Sequence, residues 1–502
     1  MRGIVKFVVT LGLTAALFGT ADAKTLRIGL AEDPDILDPT LARTFVGRIV
    51  FASLCDKLFE ITPDLKIVPQ LATGYEWSAD NKTLTIKLRQ GVVFHDGEQF
   101  DAQAAKFSLE RHLNMQGSNR KAEISAVQSV DAVDDNTIRL NLSKPFAPLL
   151  AALTDRAGMM VSPKAAQAEA GNFGAAPVCA GPYKFVERVA QDHITLAKFD
   201  NYWNKDAFHV DQVEFRTIID NPARLANLES GSLDMIERLP PTDVPTVRKD
   251  SKLQIASITE LGYQSIEFNT NNGPMAQSPI GQDPRLREAF ELAIDRDALN
   301  QVVFNGEFTP GNQWVAPGNP YYAKDFPVPK RDVEKAKALL KAAGHPNLEV
   351  TMMTPTTQEP QAVAQVIQAM VKEAGIDLKI QSVEFATSLD RAEKGDFEAY
   401  LIGWSGRSDP DGNIYNFVAC KAPLNDGHYC NPELDKVLDE SRASSDPAAR
   451  AKVYEKVAAI VLNERPWIFL YHRKWIWGLT KNVDGYTPYP DGLIRLAGVN
   501  LK

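Results

Sequence analysis

Metal-ligating residues are scarce in this chain of 502: there are seven histidines and four cysteines, and none falls in a ligand pattern. Cys420 and Cys430 have nine residues between them, His428 included, and lack the close spacing that zinc sites use. No metal and no cofactor are therefore expected. Basic tracts are missing too. The formal net charge of −9 is an acidic balance that argues against nucleic acid and anionic lipid surfaces as partners. Catalytic signatures are equally absent: there is no H-E-x-x-H, no G-x-S-x-G and no P-loop. Gly403-Trp404-Ser405-Gly406 has the serine but not the second glycine at the required offset. A triad assembled only in three dimensions would escape such a search, so a secreted peptide hydrolase stands as the alternative of a different class, while no enzyme is expected. Beyond residue 23, no apolar run reaches the ~18 to 20 residues of a spanning helix.

What is present begins with a leader. Arg2 and Lys6 precede an apolar run over residues 7–18, and Ala21-Asp22-Ala23 closes it with an A-x-A end, the pattern of an export signal cleaved after Ala23. Its removal takes away Arg2, Lys6 and Asp22 and moves the formal charge from −9 to −10. The remainder, at 44% hydrophobic overall, is long enough to divide into two or three lobes, each with its own core. Cysteines in an exported chain suggest disulfides. Cys420 and Cys430 bracket the turn-rich KAPLNDGHY and read as a staple; Cys55 and Cys179 then pair by elimination, or Cys55, on an apolar face with Val50, Phe51 and Leu54, is simply a buried hydrophobe.

The most informative stretch runs from Tyr75 to Leu113. Thr83, Thr85 and Lys87 alternate with Leu84, Ile86 and Leu88, the period of a half-buried strand. Val92-Val93-Phe94 forms a short apolar strand ending at His95-Asp96-Gly97, a turn whose glycine tolerates positive φ. Asp101 stands where an N-cap belongs, and Ala105, Leu109 and Leu113 share one face of the helix behind it. The wording of this stretch, W-S-x-D-x-K-T-x-T-x-x-L-R-x-G-V-x-F-H-D-G, closely resembles the signature of the family 5 solute-binding proteins. These serve ABC importers of dipeptides, oligopeptides, glutathione or nickel chelates. Ala180-Gly181-Pro182-Tyr183, Phe199-Asp200-Asn201-Tyr202-Trp203, Arg285-Leu286-Arg287-Glu288-Ala289 and Gly403-Trp404-Ser405-Gly406 extend the resemblance over essentially the whole mature chain.

The resemblance implies an α/β, two-lobed periplasmic binding protein fold (type II, cluster C-like) with an extra α/β subdomain in the first lobe. Residues 24–60 and 179–260 would form the first lobe, 61–178 the subdomain, 261–480 the second lobe, and 481–502 a return to the first. Several elements are legible independently. Residues 127–142 read as a β-hairpin turning at Asp135-Asn136, and a helix is expected over about 46–58. The chain is expected to cross between lobes near Leu261-Gly262-Tyr263. Strand, helix and strand over 349–383 predict a βαβ unit, residues 397–404 one further strand, and 467–477 an aromatic strand pair. The stripe Leu286, Ala289, Phe290 and Ala293 reads as core.

Binding is the function this pattern favours. The loop after the strand Ala399-Tyr400-Leu401-Ile402 lies where open α/β sheets place ligands, which makes Trp404, Ser405, Gly406 and Arg407 candidates. In peptide-binding members of the resembled family, the position three residues after this tryptophan is an aspartate that pairs with the peptide's α-ammonium; here it is Arg407. A guanidinium favours a carboxylate, phosphate or sulfate. Either Asp409 or Asp411 takes over the cation, or this ligand presents an acid. Trp314 and Tyr263 are further aromatic walls, Asn269 a donor to ligand amides, and Arg43 and Phe45 candidates on the loop after the first strand. The resemblance implies a monomer in the periplasm that captures a short peptide or peptide-like solute, including acidic ones such as glutathione, and delivers it to an inner-membrane ABC permease. Opine-like acids and metal chelates are the alternative solutes, and a sensory role would use the same site.

Overall fold

The computed structural model describes residues 24–169 and 171–502; the leader expected at 1–23 lies outside them. Two sheets carry the two lobes. The first has seven strands in the order Leu253–Thr259, Lys474–Thr480, Met235–Ile236, Thr25–Leu30, Gln212–Thr217, His193–Lys198 and Tyr183–Val189. Thr25–Leu30 runs parallel to both of its neighbours, and its Leu26, Ile28 and Leu30, which share one face, are buried in the first-lobe core. The second sheet has six strands, Thr309–Pro310, Trp467–His472, Tyr263–Phe268, Ala399–Trp404, Leu348–Pro355 and Ile376–Val383. Its last two strands are parallel and joined by the helix Gln358–Lys372, which turns Val363, Ala364, Ile367 and Val371 inward. This is the expected βαβ unit.

A separate four-stranded antiparallel sheet, Ala72–Trp77, Thr83–Leu88, Thr137–Leu142 and Val127–Asp134, contains the expected hairpin. The helix Ala102–Asn114 follows, its first turn capped by the Asp101 carboxylate, which accepts the Ala104 N–H at 2.9 Å. Leu84, Ile86, Leu109, Ile138 and Leu140 close a core of their own, joined by Leu58 and Phe59 before the sheet and by Leu149, Leu153 and Met160 after it. Cys55–Cys179 ties the two chain ends of this region together across 124 residues, and Cys420–Cys430 closes a loop of 10. The first helix stops at Leu54 rather than near residue 58, because Cys55 turns extended at the disulfide.

Among the described residues, two chain crossings connect the lobes. One runs from Leu253–Thr259 to Tyr263–Phe268, as expected near Gly262. The other runs from Trp467–His472 to Lys474–Thr480, with only Arg473 between. The segment 467–477 is therefore not a strand pair: its first half pairs with Tyr263–Phe268 and its second half with Leu253–Thr259. Both halves are buried on both faces, so hydrophobic pattern alone does not reveal the change of sheet. For the same reason the expected second-lobe boundary at 480 overshoots, since Lys474–Thr480 belongs to the first sheet. The crossings are stitched side by side. Glu260 N–H donates to the Arg473 carbonyl, and Arg473 N–H donates to Glu260 Oε1, both at 2.9 Å. The Arg473 guanidinium pairs with Glu359 at 2.8 Å. Burial pushes the Glu260 carboxyl up to about 7 despite Arg473. From residue 481 the chain packs Leu493, Ile494, Leu496 and Val499 into the first-lobe core.

Candidate functional site

The loop leaving the strand Ala399–Trp404 is held by a residue that the sequence pattern did not single out. Asn413, in the first turn of the helix Asp411–Val418, accepts from Trp404 Nε1 at 3.1 Å and from Arg407 N–H at 2.6 Å. Its amide donates to the Arg407 carbonyl at 3.0 Å and to that of Leu261 at 3.4 Å. The loop is thereby fastened to the crossing. Two glycines make that approach possible. A Cβ at Gly262 would sit 1.8 Å from the Trp404 carbonyl oxygen, and one at Gly406, where φ is +81°, would sit 2.3 Å from the Leu261 carbonyl carbon. No other residue type fits either place. The Trp404 ring lies against Phe417, with centroids 5.1 Å apart, and the Arg407 guanidinium covers the Trp404 ring at 4.6 Å.

Facing this loop is a wall from the first lobe. Phe45 opens the helix Phe45–Leu54 and stacks on Trp475 at 4.5 Å with an interplanar angle of 2°. One turn on, Arg48 reaches Asp155 through Nε at 3.2 Å and Nη2 at 2.8 Å. Arg156 and Arg120 converge from two further segments on the Ala42 carbonyl, at 2.7 and 3.2 Å, and Arg120 also donates to Glu123 at 2.8 Å. Arg407 Nη2 crosses from the second lobe to within 4.0 Å of Glu123. Four guanidiniums thus gather around two carboxylates. Burial alone would raise Asp155, but the Arg48 and Arg156 charges win and hold it well below the usual carboxylate range. Burial, together with the neighbouring Arg120, brings Arg156 down to about 9. Arg407 is lowered by burial and then by Arg48.

The lobes also touch at one side of the cleft. Ala147 N–H donates to the Arg442 carbonyl at 2.9 Å, the Arg442 guanidinium lies 5.3 Å from the Phe146 ring, and Lys144 pairs with Asp439 at 3.6 Å.

Of the residues expected at a site, Trp404, Ser405, Gly406 and Arg407 share the loop, and Phe45 stands beside Arg48 on the opposite wall, the Arg48 guanidinium 5.8 Å from its ring. Arg43 is exposed and contributes a backbone N–H to Asp35 at 2.7 Å, part of the turn that caps the helix. Asp409 and Asp411 require correction as candidate ammonium partners. Asp409 is bidentate with Arg450 at 2.6 and 2.7 Å, and Asp411 with Arg442 at 2.6 and 2.8 Å. Each buried carboxylate already has its cation within the protein.

Tyr263, Trp314 and Asn269 are fully buried in the second lobe and do not line the cleft. Tyr263 packs edge-on against Phe469 at 4.8 Å, and Trp314 lies between Tyr454 and Phe469. Asn269 donates to the carbonyls of Asn272, Gly395 and Phe397, capping its own strand end. Strand ends and aromatic residues serve cores and sites alike, so their type could not separate the two. Arg48, Arg120, Asp155 and Arg156 were missed because 108 residues separate the first from the last; no local spacing brings them together. Cavities of about 470 and 290 Å³ open elsewhere on the second lobe, beside Val366 and beside Arg287, and include neither Trp404 nor Arg407.

Comparison with known proteins agrees with this geometry. The model of the bacterial extracellular solute-binding proteins, family 5 Middle, matches residues 66–425. The glutathione-binding protein GsiB of Pectobacterium atrosepticum is 28% identical, over 99% of this chain and 98% of its own. Among solved structures, the binding protein AgaA from A. tumefaciens R10 in complex with agropinic acid is 30% identical, with a TM-score of 0.81 over 95% of this chain and 99% of its own. The ABC transporter-associated periplasmic binding protein DppA from Helicobacter pylori in complex with the peptide STSA is 27% identical, with a TM-score of 0.82 over 95% and 98%.

Proposed function

Because the chain belongs to the bacterial extracellular solute-binding proteins of family 5, we propose that it is the periplasmic capture component of an ABC importer. It closes two lobes over a small peptide-like acid and hands it unaltered to a membrane permease. The observation that carries this reading is the meeting of Arg407, from the second lobe, with the cluster of Arg48, Arg120 and Arg156 around Asp155 and Glu123 in the first, across paired crossings at Glu260 and Arg473. Such crossings let each lobe move as a rigid body while a few residues absorb the change. Contacts formed only on closure discriminate between solutes and distinguish loaded from empty protein for the permease. The leader is cleaved after Ala23, the working form is a monomer, and no bond of the solute is broken.

The solute is glutathione-like or opine-like. The GsiB relatives support the first by name, and the AgaA complex with agropinic acid supports the second. Arg407, where an ammonium-binding aspartate is expected in peptide binders, favours an acid over a simple zwitterionic dipeptide. Mass spectrometry of the small molecule that co-purifies with the exported protein, followed by calorimetric titration of that molecule, tests this. One saturable site that returns the solute unchanged is expected; turnover of the solute would defeat the proposal.

A further inference from the structure

The charges that meet across the cleft do not balance. On the first-lobe side stand Arg48, Arg120 and Arg156 with Asp155 and Glu123, and the second lobe adds Arg407. The count is four cations against two anions. Neighbouring charges do not repair it, because they are paired among themselves: Arg111 with Asp38 at 2.6 Å, Arg238 with Glu32 at 2.6 Å and Glu237 at 3.2 Å, Arg450 with Asp409 and Arg442 with Asp411, both at 2.6 Å. Donor capacity is also left over. Arg120 and Arg156 are each 3% exposed, and the Nε of each is buried with no hydrogen-bond partner among the described residues.

We propose that the cleft takes a solute bearing two negatively charged groups, that the loop carboxylates Asp409 and Asp411 offer no seat for an α-ammonium, and that repulsion between Arg407 and the first-lobe arginines works against closure until such a solute arrives. This deepens the clamp reading and rests on it. Arg407 is the only one of the four carried by the second lobe, so opening the hinge relieves its repulsion while leaving the first-lobe trio in place. A buried excess of like charge is costly unless counter-charge arrives. A dianion removes the excess of two, and a monoanion removes half of it. The loop carboxylates that would greet an ammonium are held bidentately by Arg450 and Arg442. Guanidiniums match carboxylate and phosphate oxygens in paired geometry, so dicarboxylates and phosphorylated acids are the chemical classes that fit. A free amino group on the solute gains no partner from this loop and, close to Arg407, subtracts.

Two measurements test the proposal. In the first, small-angle X-ray scattering is recorded on solute-free wild type, Arg407→Gln and Arg407→Lys. The glutamine variant is expected to be more compact than wild type, and the lysine variant, which keeps the charge, to match wild type. Equal compaction of the glutamine variant and wild type would overturn the gating. In the second, N-acetyl-L-alanyl-L-glutamate (two carboxylates, no ammonium), L-alanyl-L-glutamate (two and an ammonium) and L-alanyl-L-alanine (one and an ammonium) compete with the co-purifying solute. The expected order of affinity is as written, each unmatched charge costing about 10- to 100-fold. Dialanine competing as well as the acetylated dianion, or a co-purifying solute with no net negative charge, would overturn the proposal and leave the clamp standing. If a co-purified solute leaves the scattering of wild type unchanged, the clamp reading itself fails.

Discussion

Asp409→Asn separates a structural carboxylate from a ligand-facing one. Asp409 and Arg450 form a bidentate pair whose side chains are 12% and 5% exposed, and the guanidinium also lies 5.6 Å from the Tyr321 ring and 5.7 Å from that of Tyr454. Removing the carboxylate charge leaves Arg450 buried with no counter-ion, a defect that costs about 3 to 5 kcal/mol. At the unfolding entropy of a chain this long, roughly 1 kcal/mol per kelvin, that lowers the melting temperature by about 3 to 5 °C if the lobes unfold together. Calorimetry of the solute-free protein reads this directly, and titration with the co-purified solute reads the site. Affinity is expected to change less than about threefold, because the carboxylate points at Arg450 and not into the cleft. An unchanged melting temperature with a tenfold loss of affinity would refute the reasoning and return Asp409 to the solute.

Three further perturbations probe the loop and the crossings. Arg407→Ala is expected to weaken solute capture by ~1 to 3 kcal/mol through loss of a charge-assisted contact; unchanged calorimetric affinity would remove Arg407 from the site. Gly262→Ala drives a methyl group into the Trp404 carbonyl oxygen and is expected to lower affinity at least tenfold by displacing the loop, with wild-type affinity as the contrary result. Glu260 has its carboxyl raised to about 7, chiefly by burial, so the folded state holds a proton that the unfolded chain releases at ordinary carboxylate pH. Stability from this group is complete below the unfolded value and is lost as pH rises towards 7. Melting temperatures of Glu260→Gln relative to wild type are therefore expected to climb between about pH 5 and 7.5, and a flat difference would contradict the assignment.

Local pattern carried much of the architecture. The alternation over Thr83–Leu88, the cap at Asp101, the hairpin around Asp135-Asn136 and the βαβ unit each follow from a few adjacent residues, and each stands where its periodicity predicts. The lobe assignment of Lys474–Thr480 was not legible, because one residue, Arg473, separates two strands of the same buried aromatic character. Half of the site was legible for a similar reason: Trp404 to Arg407 is a contiguous loop at a strand end. The opposing wall is assembled from residues 48, 120, 155 and 156, which only the fold brings together, and the loop's own anchor, Asn413, is an ordinary helix residue by sequence. Asp409 and Asp411 were misread because their arginine partners, Arg450 and Arg442, lie 41 and 31 residues further along.

Native mass spectrometry of the protein taken from its own periplasm, with the bound molecule weighed before and after release, tests the central claim most directly. The expected result is one small acidic molecule per chain, released at its original mass. A chain carrying no molecule under conditions that preserve the complex, or a molecule returned at a different mass, would contradict the account.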